Sequence, residues 1–423
     1  MTSAQAATRL GIKAETLYAY VSRGLLSSHP VPGSRQTRFD ESEVERLSGR
    51  GRRRGRTLGP ELVVDSGLTL LEPEGRLFYR GWDAIDAASS ASYERVAEWL
   101  WTASRAEPPA WSPAAGHLAA ASDAQALLPP STSLVDRIRV SVAVSGSLDP
   151  YAADRRPEAV VATARSLISV LVDALPRRGA VSRLPLDAGL GGRRQPIAAR
   201  LWSRLSARSP TPEMLRVLNA ALVLLADHEL AASTLAARIA ASAWAGPYLV
   251  VQTGLGPVGG PLHGAAGTAA RAVVAEVDGG APADQVLGRL VATEEGLVPG
   301  LGHRVYVGPD PRATTLLAMA RQLAPPRRWA RLQELLVAAS ARQLPGPNVD
   351  FALAAFAYMT DLVPDATEVI FAVARSAGWI AHAMEEYPHR LRFRIRAAYT
   401  GPRPERSSRR STLPPDERGT DST

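Results

Sequence analysis

From about residue 58 onward, the chain is a series of apolar segments with the spacing of one helix face, separated by short Gly- and Pro-containing breaks. Apolar side chains that recur every three or four residues indicate amphipathic helices, whereas a half-buried strand requires strict alternation. Only two short stretches, near Leu68–Leu71 and Arg76–Tyr79, carry a strand signal. The pattern therefore predicts a mainly α-helical fold. The expected helices are Ser92–Ser104, Leu134–Val144, Ala159–Leu175, Met214–His228, Ala231–Trp244, Ala266–Val277, Pro282–Glu294, Ala313–Leu323, Arg328–Ala341, Phe351–Met359 and Asp365–Trp379 with its continuation to Glu386.

Composition excludes several classes of protein. The 423 residues are 46% hydrophobic, which is enough apolar surface for a substantial core and two or three domains. No uncharged apolar run reaches the roughly 18 residues of a membrane span, and the first ten residues lack the features of a signal peptide. We therefore expect a cytoplasmic protein without membrane association. The absence of cysteine excludes disulfides, thiolate catalysis and cysteine-ligated zinc.

Positive charge is concentrated at the N-terminus. Residues 1–57 contain 11 of the 49 Lys and Arg residues but only 5 of the 41 Asp and Glu residues, whereas the chain as a whole has a net charge of +8. A basic segment of this kind is typical of a module that binds a polyanion, and DNA is the partner it favours. We expect a small domain over residues 1–50, a basic linker over residues 51–59 and a disordered tail over residues 402–423.

The small N-terminal domain carries the pattern of two short helices around a glycine turn. Ser3 is a candidate N-cap for a helix through Leu10, and Gly11 ends that helix. A short strand and a last helix capped by Asp40 are expected further on. The segments AQAATRLGIKAETLYAYVSRGLL (4–26) and SRQTRFDESEVERL (34–47) resemble the helix-turn-helix of MerR-like and excisionase-like DNA-binding modules. The resemblance implies a helix in the major groove and basic side chains on phosphates. The candidate DNA contacts are Lys13, Thr16, Arg23, Arg35 and Arg38.

Three of the seven histidines lie in unusual surroundings. Asp227 and Glu229 flank His228, whereas His263 and His303 lie in glycine-rich turns. Such turns allow close approach of a ligand, and a turn that enters a helix presents free N–H groups to an anion. For each histidine taken alone, a structural hydrogen-bonding role is the alternative.

Three further segments carry charge in apolar surroundings. The triplet Asp310-Pro311-Arg312 follows His303, and Asn348-Val349-Asp350-Phe351 precedes an apolar helix. Asp350 is either a helix N-cap or a functional carboxylate. Arg375 lies on an apolar helix, where its charge requires an anion from the core or from a ligand. His382, on the same helix, is expected to be a packed structural residue.

Taken together, these segments resemble the citrate synthase family over about residues 60–401. The matching stretches, in the order of the family, are LFYRGWDAID (77–86), DHELAASTLAAR (227–238), GPLHGAAG (260–267), GLGHRVY (300–306) with DPR (310–312), NVDF (348–351), ARSAGWIAHAMEE (374–386) and RIRAAYTG (394–401). The resemblance implies a helical body of a large and a small domain, the small one spanning roughly residues 265–365, behind the N-terminal helix-turn-helix domain.

The resemblance also implies a catalytic set. Asp350 matches the general base that removes a methyl proton from acetyl-CoA. His263 matches the group that hydrogen-bonds the thioester oxygen as it becomes an enolate oxygen. His303 matches the group that polarises the carbonyl of oxaloacetate. A neutral imidazole can stabilise the enolate, and a partly desolvated carboxylate is a stronger base than one in water.

Other residues match binding roles in the family. Arg312, Arg375 and Arg394 match the arginines that hold substrate carboxylates, with Arg394 reaching over from the partner subunit of a homodimer. His228 matches a further substrate contact, and Arg304 lies beside the expected path of CoA. Guanidinium groups suit this task because they bind carboxylates bidentately. No metal and no cofactor besides the acetyl-CoA substrate is expected.

The implied activity is an acyltransferase reaction of the tricarboxylic acid cycle, in which acetyl-CoA and oxaloacetate give citrate and CoA. A 2-methylcitrate synthase that uses propionyl-CoA is an alternative that the sequence does not separate. Two different classes of function also fit: a metabolite-responsive DNA-binding regulator with a weakly active or inactive body, and a structural subunit that supports a second synthase. Three positions depart from the family pattern: Ala231 and Gly267 replace Asn, and Ile395 replaces Pro. These changes are compatible with a slower reaction, a looser preference for oxaloacetate or a paralogue that uses another 2-oxo acid. The regulator gains support from the basic helix-turn-helix together with Ala231 and Gly267.

Overall fold

We describe the protein from a computed structural model. The described residues are 1–10, 21, 26–30, 37–41, 43–44, 63–72, 74–178, 195–260, 263–293, 297–391, 393 and 401. The chain forms two compact units, an N-terminal unit over Met1–Asp65 and a main unit over Ser66–Thr423. Among the described residues, no helix combines the length and apolar character that a membrane span requires.

The N-terminal unit contains helix α1 (Ser3–Leu10) and an antiparallel pair of strands, β1 (Ser28–Pro30) and β2 (Thr37–Phe39). Thr2, rather than the expected Ser3, caps α1. The Gln5 amide donates to Thr2 Oγ1 at 3.3 Å, and the Thr2 amide donates to Gln5 Oε1 at 2.9 Å. This reciprocal pair satisfies two amide groups at the start of the helix. A small apolar cluster lies beneath these elements, formed by Ala6, Leu26, Phe39 and Val44.

The main unit begins with the expected strand pair. Strands β3 (Thr69–Glu72), β4 (Arg76–Tyr79) and β5 (Trp82–Asp83) form an antiparallel meander. Helices follow to the end of the described chain. They are α2 (Ala84–Ser90), α3 (Tyr93–Thr102), α4 (Ala115–Ala126), α5 (Leu134–Leu148), α6 (Pro157–Asp173), α7 (Ile197–Leu205), α8 (Pro212–Leu225), α9 (Ala232–Ser242), α10 (Pro247–Val258), α11 (Ala266–Asp278), α12 (Ala283–Thr293), α13 (Pro311–Arg321), α14 (Pro326–Ala341), α15 (Val349–Met359) and α16 (Ala366–Glu386), and a 3₁₀ turn follows at Tyr387–His389.

Helix α16 is the centre of the larger hydrophobic core. It packs against α3, α6, α8, α9 and α10, and nearly all of its residues are buried. A helix that is apolar on all sides requires such complete coverage. Because Arg375 and His382 lie on this helix, their polar groups are buried with it.

A second, smaller hydrophobic core lies among α11, α12, α14 and α15. Phe351 at the start of α15 belongs to this core, whereas Ala352 and Phe356 of the same helix belong to the larger one. Helix α15 therefore joins the two cores. The arrangement fits the mainly helical fold with a large and a small domain that the sequence predicts.

Within the described part of the main unit, the helices that were not expected from the sequence are α2, α4, α7 and α10. Other helices end earlier than expected. Helix α8 ends at Leu225, so Asp227 and His228 lie in the turn that follows it. The expected loop over residues 176–196 falls mostly outside the described residues, and so does the tail over residues 402–423.

Candidate active site

The glycine-bearing turn over residues 300–302 packs against α11 and the start of α15. Gly300 has a φ of +82°, and a Cβ there would lie 2.9 Å from the Cβ atoms of Ala270 and Phe351. Only glycine fits such a position without strain. Asn348 secures the same junction, because its amide donates to Gly300 O at 2.9 Å and its Nδ2 donates to Gly302 O at 2.9 Å. The turn that carries His303 therefore lies against the start of α15.

The N-cap of α15 is Asn348, which leaves the neighbouring Asp350 free for another role. Asn348 Oδ1 accepts hydrogen bonds from the amides of Asp350 and Phe351 at 3.0 and 3.2 Å. Among the described residues, no group donates a hydrogen bond to the Asp350 carboxylate. Burial raises its pKa to about 6; Arg312 and Arg375 oppose the rise, and Asp310 adds to it. A carboxylate with this pKa is ionised near pH 7 and is a stronger base than an exposed one.

Backbone hydrogen bonds favour one tautomer of the His303 ring. Burial and the charge of Arg312 lower its pKa to about 4, so the ring is neutral near pH 7. His303 Nδ1 accepts hydrogen bonds from the amides of Val305 and Tyr306 at 3.0 and 3.4 Å. A neutral imidazole that accepts at Nδ1 carries its proton on Nε2. In this tautomer, Nε2–H is the donor that His303 offers to a ligand.

A guanidinium donor lies beside this imidazole donor. Arg312 is buried and forms a two-pronged ion pair with Asp310, with Nε and Nη2 at 3.0 and 2.8 Å from the two carboxylate oxygens. Asp310 is held in turn by the amide of Val349 at 3.0 Å. Arg312 Nη2 also lies 3.2 Å from His303 Nε2. A guanidinium can only donate, so this contact competes with the two backbone amides for the single acceptor nitrogen of a neutral His303 ring. An acceptor oxygen of a ligand such as a 2-oxo acid, placed between Arg312 Nη2 and His303 Nε2, would satisfy both groups with the ring hydrogen on Nε2.

His228 faces the same cluster from the turn after α8. Its ring lies edge-on to the His303 ring with centroids 5.1 Å apart, and its Nε2 is 3.0 Å from the hydroxyl of Tyr306. Burial and the charges of Arg312 and Arg375 hold the pKa of His228 well below its usual range. His228 is therefore neutral near pH 7, and it lies next to His303, another of the predicted site residues.

Asp227 anchors the turn that carries His228. Its Oδ2 accepts hydrogen bonds from Thr69 Oγ1 at 2.5 Å, from the Glu229 amide at 3.2 Å and from His382 Nε2 at 3.2 Å. The other ring nitrogen of His382 faces Arg238. His382 is thus a buried structural residue, as expected, and it ties α16 to the turn after α8.

His263 lies before α11, edge-on to Phe371 with centroids 5.2 Å apart. Its Nε2 is 2.8 Å from the hydroxyl of Ser233 in the first turn of α9. Burial and Arg375 lower the pKa of His263 to about 4, so this ring is also neutral near pH 7. If the Ser233 hydroxyl donates to Nε2, the ring proton lies on Nδ1 and can serve a ligand oxygen.

Arg375 is completely buried on α16. Its Nε donates to Leu225 O at 2.8 Å, and its guanidinium lies over the Phe371 ring. Nη1 is buried without a hydrogen-bond partner among the described residues. Burial lowers the pKa of Arg375, although Asp227 opposes this effect. A buried guanidinium nitrogen without a partner is costly, and a ligand carboxylate would satisfy it.

The structure thus brings six predicted residues into one connected cluster: His228, His263, His303, Arg312, Asp350 and Arg375. Arg304 is exposed on the turn after His303. Arg38 is exposed on β2 of the N-terminal unit. The remaining predicted residues lie outside the described part of the chain: Arg394, Lys13, Thr16, Arg23 and Arg35. Two residues of the cluster, Tyr306 and Ser233, had no role in the sequence interpretation.

Comparison with known proteins assigns the main unit. The model of the family described as "Citrate synthase, C-terminal domain" matches residues 59–397. The chain belongs to the citrate synthase family. A separate model, described as a helix-turn-helix domain, matches residues 1–47.

Several members of the citrate synthase family are similar over most of the chain. Citrate synthase of Haloferax volcanii is 32% identical over 80% of this chain and 94% of its own. Citrate synthase 2 of Bacillus subtilis is 32% identical over 63% of this chain and 72% of its own. A 2-methylcitrate synthase of Mycobacterium tuberculosis is 29% identical over 80% of this chain and 89% of its own.

The fold agrees with solved structures of citrate synthases. The citrate synthase of Thermoplasma acidophilum, in a ternary complex with carboxymethyl coenzyme A and oxaloacetate, superposes with a TM-score of 0.64. The match covers 81% of this chain and 95% of that chain at 22% identity. At this level of identity, the likeness establishes the fold.

The structure explains what two departures from the family pattern change. Ala231 is the N-cap of α9 and offers no side-chain hydrogen bond, so this helix start lacks the cap that Asn would give. Gly267 packs against Thr367, and a Cβ at Gly267 would lie 2.9 Å from Thr367 Cβ. The space of the missing Asn side chain is therefore partly filled by α16. The third departure, Ile395, lies outside the described residues.

Proposed function

We propose that the protein condenses acetyl-CoA with oxaloacetate and releases citrate and CoA. The observation that carries this proposal is the Asp350 carboxylate with a pKa of about 6, placed in one cluster with neutral imidazoles and two buried arginines. Such a cluster suits the removal of a proton from a carbon acid, because the base is matched to neutral pH and the donors face a developing oxyanion.

In the proposed first step, Asp350 takes a proton from the methyl group of acetyl-CoA. The electron pair of the C–H bond forms the enolate double bond, and the thioester oxygen becomes negative. His263 would donate its free ring N–H to this oxygen while Ser233 holds the other ring nitrogen. The hydrogen bond lowers the energy of the enolate without requiring a charged histidine.

In the second step, the enolate carbon attacks the keto carbon of oxaloacetate. The keto oxygen gains negative charge and accepts a proton, and His303 Nε2–H is the donor aimed at such an oxygen. Arg312 and Arg375 would hold the two carboxylates, with His228 as a further contact. Arg394, from the partner subunit, and Arg304, on the CoA side, complete the proposed set. Water then hydrolyses the thioester of citryl-CoA to citrate and CoA. No cofactor beyond the two substrates is needed.

A thiol-release assay tests the proposal directly, because the chain has no cysteine that would react with a thiol reagent. We expect CoA release that depends on oxaloacetate, and a decrease of at least about 100-fold in kcat for Asp350→Asn, as for the loss of a general base. Asp284→Asn, which changes an exposed carboxylate paired with Arg342, serves as the matched control and should retain activity. Absence of CoA release with oxaloacetate, or full activity of the Asp350 variant, would refute the proposal.

The same assay separates the acyl donors. The similarity to both citrate synthases and a 2-methylcitrate synthase keeps propionyl-CoA as the second candidate donor. A higher kcat/KM with propionyl-CoA than with acetyl-CoA would assign the protein to 2-methylcitrate synthesis instead.

We further propose that the protein acts as a homodimer. Three large apolar side chains lie exposed on and between the adjacent helices α9 and α10: Ile239, Trp244 and Leu249. Exposed apolar groups on neighbouring elements are typical of a protein–protein interface. Sedimentation at micromolar concentration should give twice the mass of the 45.0 kDa chain. A monomer at this concentration would contradict the dimer and the contribution of Arg394 to a neighbouring site.

A second candidate function is DNA binding by residues 1–50, joined to the enzyme body (60–401) through the basic linker at 51–59. Its support is the helix-turn-helix match over residues 1–47 together with the concentration of positive charge there. Binding should weaken steeply as salt is raised, because phosphate contacts release counterions. Arg38→Ala should lower the salt dependence by about one ion if Arg38 contacts a phosphate. No binding to genomic DNA fragments at low salt would exclude this function.

A further inference from the structure

Tyr306 lies three residues after His303 and contacts three groups of the cluster. Its ring stacks at a tilt on the His303 ring with centroids 4.7 Å apart, and the Arg312 guanidinium lies 5.8 Å from its centroid. Its hydroxyl lies 3.0 Å from His228 Nε2. The phenol is buried, so its polar group must find a partner inside the protein. His228 is the hydrogen-bond partner that the structure gives it.

The direction of this hydrogen bond follows from the charges around it. Burial raises the pKa of Tyr306 to about 12, against the opposing charge of Arg312, so the phenol keeps its proton. His228 faces Arg312, Arg375, His303 and Tyr306, and burial together with the charges of the two arginines keeps its ring neutral. A neutral phenol beside a neutral imidazole donates to the nitrogen that lacks hydrogen. Tyr306 O–H therefore donates to His228 Nε2, and the proton of His228 lies on Nδ1.

We propose that Tyr306 is a positioning residue for oxaloacetate, whose hydroxyl fixes the tautomer and orientation of His228 while its ring supports His303. This inference rests on the proposed condensation function and assigns a role that the sequence interpretation did not contain. Without the hydroxyl, His228 Nε2 loses its donor, and the ring can exchange its proton between the two nitrogens. Oxaloacetate then has to select one tautomer and orientation of the His228 ring from several.

The first test compares the kinetics of two variants that separate hydroxyl from ring. Tyr306→Phe keeps the ring on His303, and we expect KM for oxaloacetate to rise about 5- to 50-fold, as for one buried polar group left unpaired. Its kcat should change by no more than about threefold, because the groups that act on the reacting atoms remain. Tyr306→Leu removes both functions and should lower kcat as well. Tyr248→Phe, which loses a hydrogen bond to Asp149, is the control for a lost tyrosine hydroxyl elsewhere.

The second test reads His228 without catalysis. In protein labelled with ¹⁵N-histidine, the His228 signals can be assigned by their loss in His228→Gln. The wild type should show a protonated Nδ1 and an unprotonated, hydrogen-bonded Nε2. A hydrogen bond to the neutral form holds the pKa down, so Tyr306→Phe should raise the pKa of His228 and shift its Nε2 signal.

The positioning role and the condensation function can be refuted independently of each other. Unchanged His228 signals in Tyr306→Phe would overturn the positioning role, even in a fully active enzyme. An unchanged KM for oxaloacetate would also overturn it. If the wild-type protein releases no CoA with any acyl donor, the condensation function fails, whereas the His228 signals still report whether Tyr306 sets the tautomer.

Discussion

Replacing Asp350 by Asn should make the protein more stable near neutral pH while it abolishes the proposed activity. Asp350 lies at the start of α15 without a hydrogen-bond donor to its carboxylate among the described residues. Its charge is therefore held in a costly environment by the surrounding fold. Asn has nearly the same shape and carries no charge, so the substitution removes this cost.

The size of the effect follows from the pKa. The pKa of Asp350 is raised from 3.8 to about 6, and each unit corresponds to about 1.4 kcal/mol, which gives about 3 kcal/mol for the shift. The folded protein holds the proton more tightly than the unfolded chain. Between about pH 4 and pH 6 the unfolded chain releases its proton first, so the contribution of Asp350 to stability is lost as pH rises through this interval. We expect Asp350→Asn to gain up to about 3 kcal/mol above pH 7 and almost nothing near pH 3.

Urea denaturation of both proteins from pH 4 to pH 8 measures this difference. The midpoint of Asp350→Asn should lie above that of the wild type at pH 7.5, and the two should converge as the pH is lowered. Asp284→Asn, with its exposed carboxylate, should show no such pH-dependent gain. An Asp350→Asn variant that is less stable than the wild type at pH 7.5, or a gain that does not change with pH, would refute the reasoning.

Three further predictions concern the same region. The kcat of the wild type should fall about tenfold from pH 7 to pH 5 as Asp350 is protonated, measured by loss of thioester absorbance; a rate that stays flat to pH 5 would contradict Asp350 as the base. Gly267→Ala should destabilise the protein by about 1–3 kcal/mol because the new methyl group meets Thr367, and a higher urea midpoint would show that the helix has room. Ala231→Asn should raise the free energy of unfolding by about 1 kcal/mol by capping α9, and no change would mean that this amide end is already satisfied.

Much of the helical body could be predicted from the sequence because most helices are amphipathic or apolar with clear ends. Helix α10 shows why others were missed. It contains two glycines and Pro257, which interrupt a helix pattern in isolation. In the folded protein Gly254 faces Trp379, and a Cβ there would come within 2.5 Å of the indole. The glycine therefore serves the packing of two helices, which single-sequence spacing does not reveal.

The residues of the candidate site were predicted one by one from motifs, but the hydrogen bonds that connect them were not. Tyr306 lies in the motif GLGHRVY, but its role depends on a hydrogen bond between its hydroxyl and His228, which is 78 residues away in the chain. The role of Ser233 depends in the same way on a hydrogen bond between its Oγ and His263, which is 30 residues away. The end of α8 before Asp227 is likewise a tertiary effect, because Thr69 and His382 hold that carboxylate from other elements. Long-range hydrogen bonds of this kind leave no periodic signal in a sequence.

A comparison of two buried arginines of the main unit shows why the cluster is built for a ligand. Arg238 and Arg375 are both almost completely buried. Arg238 is paired with Glu385 and Glu386 at 2.7 and 2.6 Å, so the protein itself neutralises its charge. Arg375 forms no ion pair among the described residues, and its Nη1 has no hydrogen-bond partner there. A fold that only needed a stable core would not leave one guanidinium in this condition beside Asp350 and His263. The unpaired charge is the expected cost of a site that a substrate carboxylate completes, and oxaloacetate should therefore raise the unfolding temperature of the wild type more than that of Arg375→Gln.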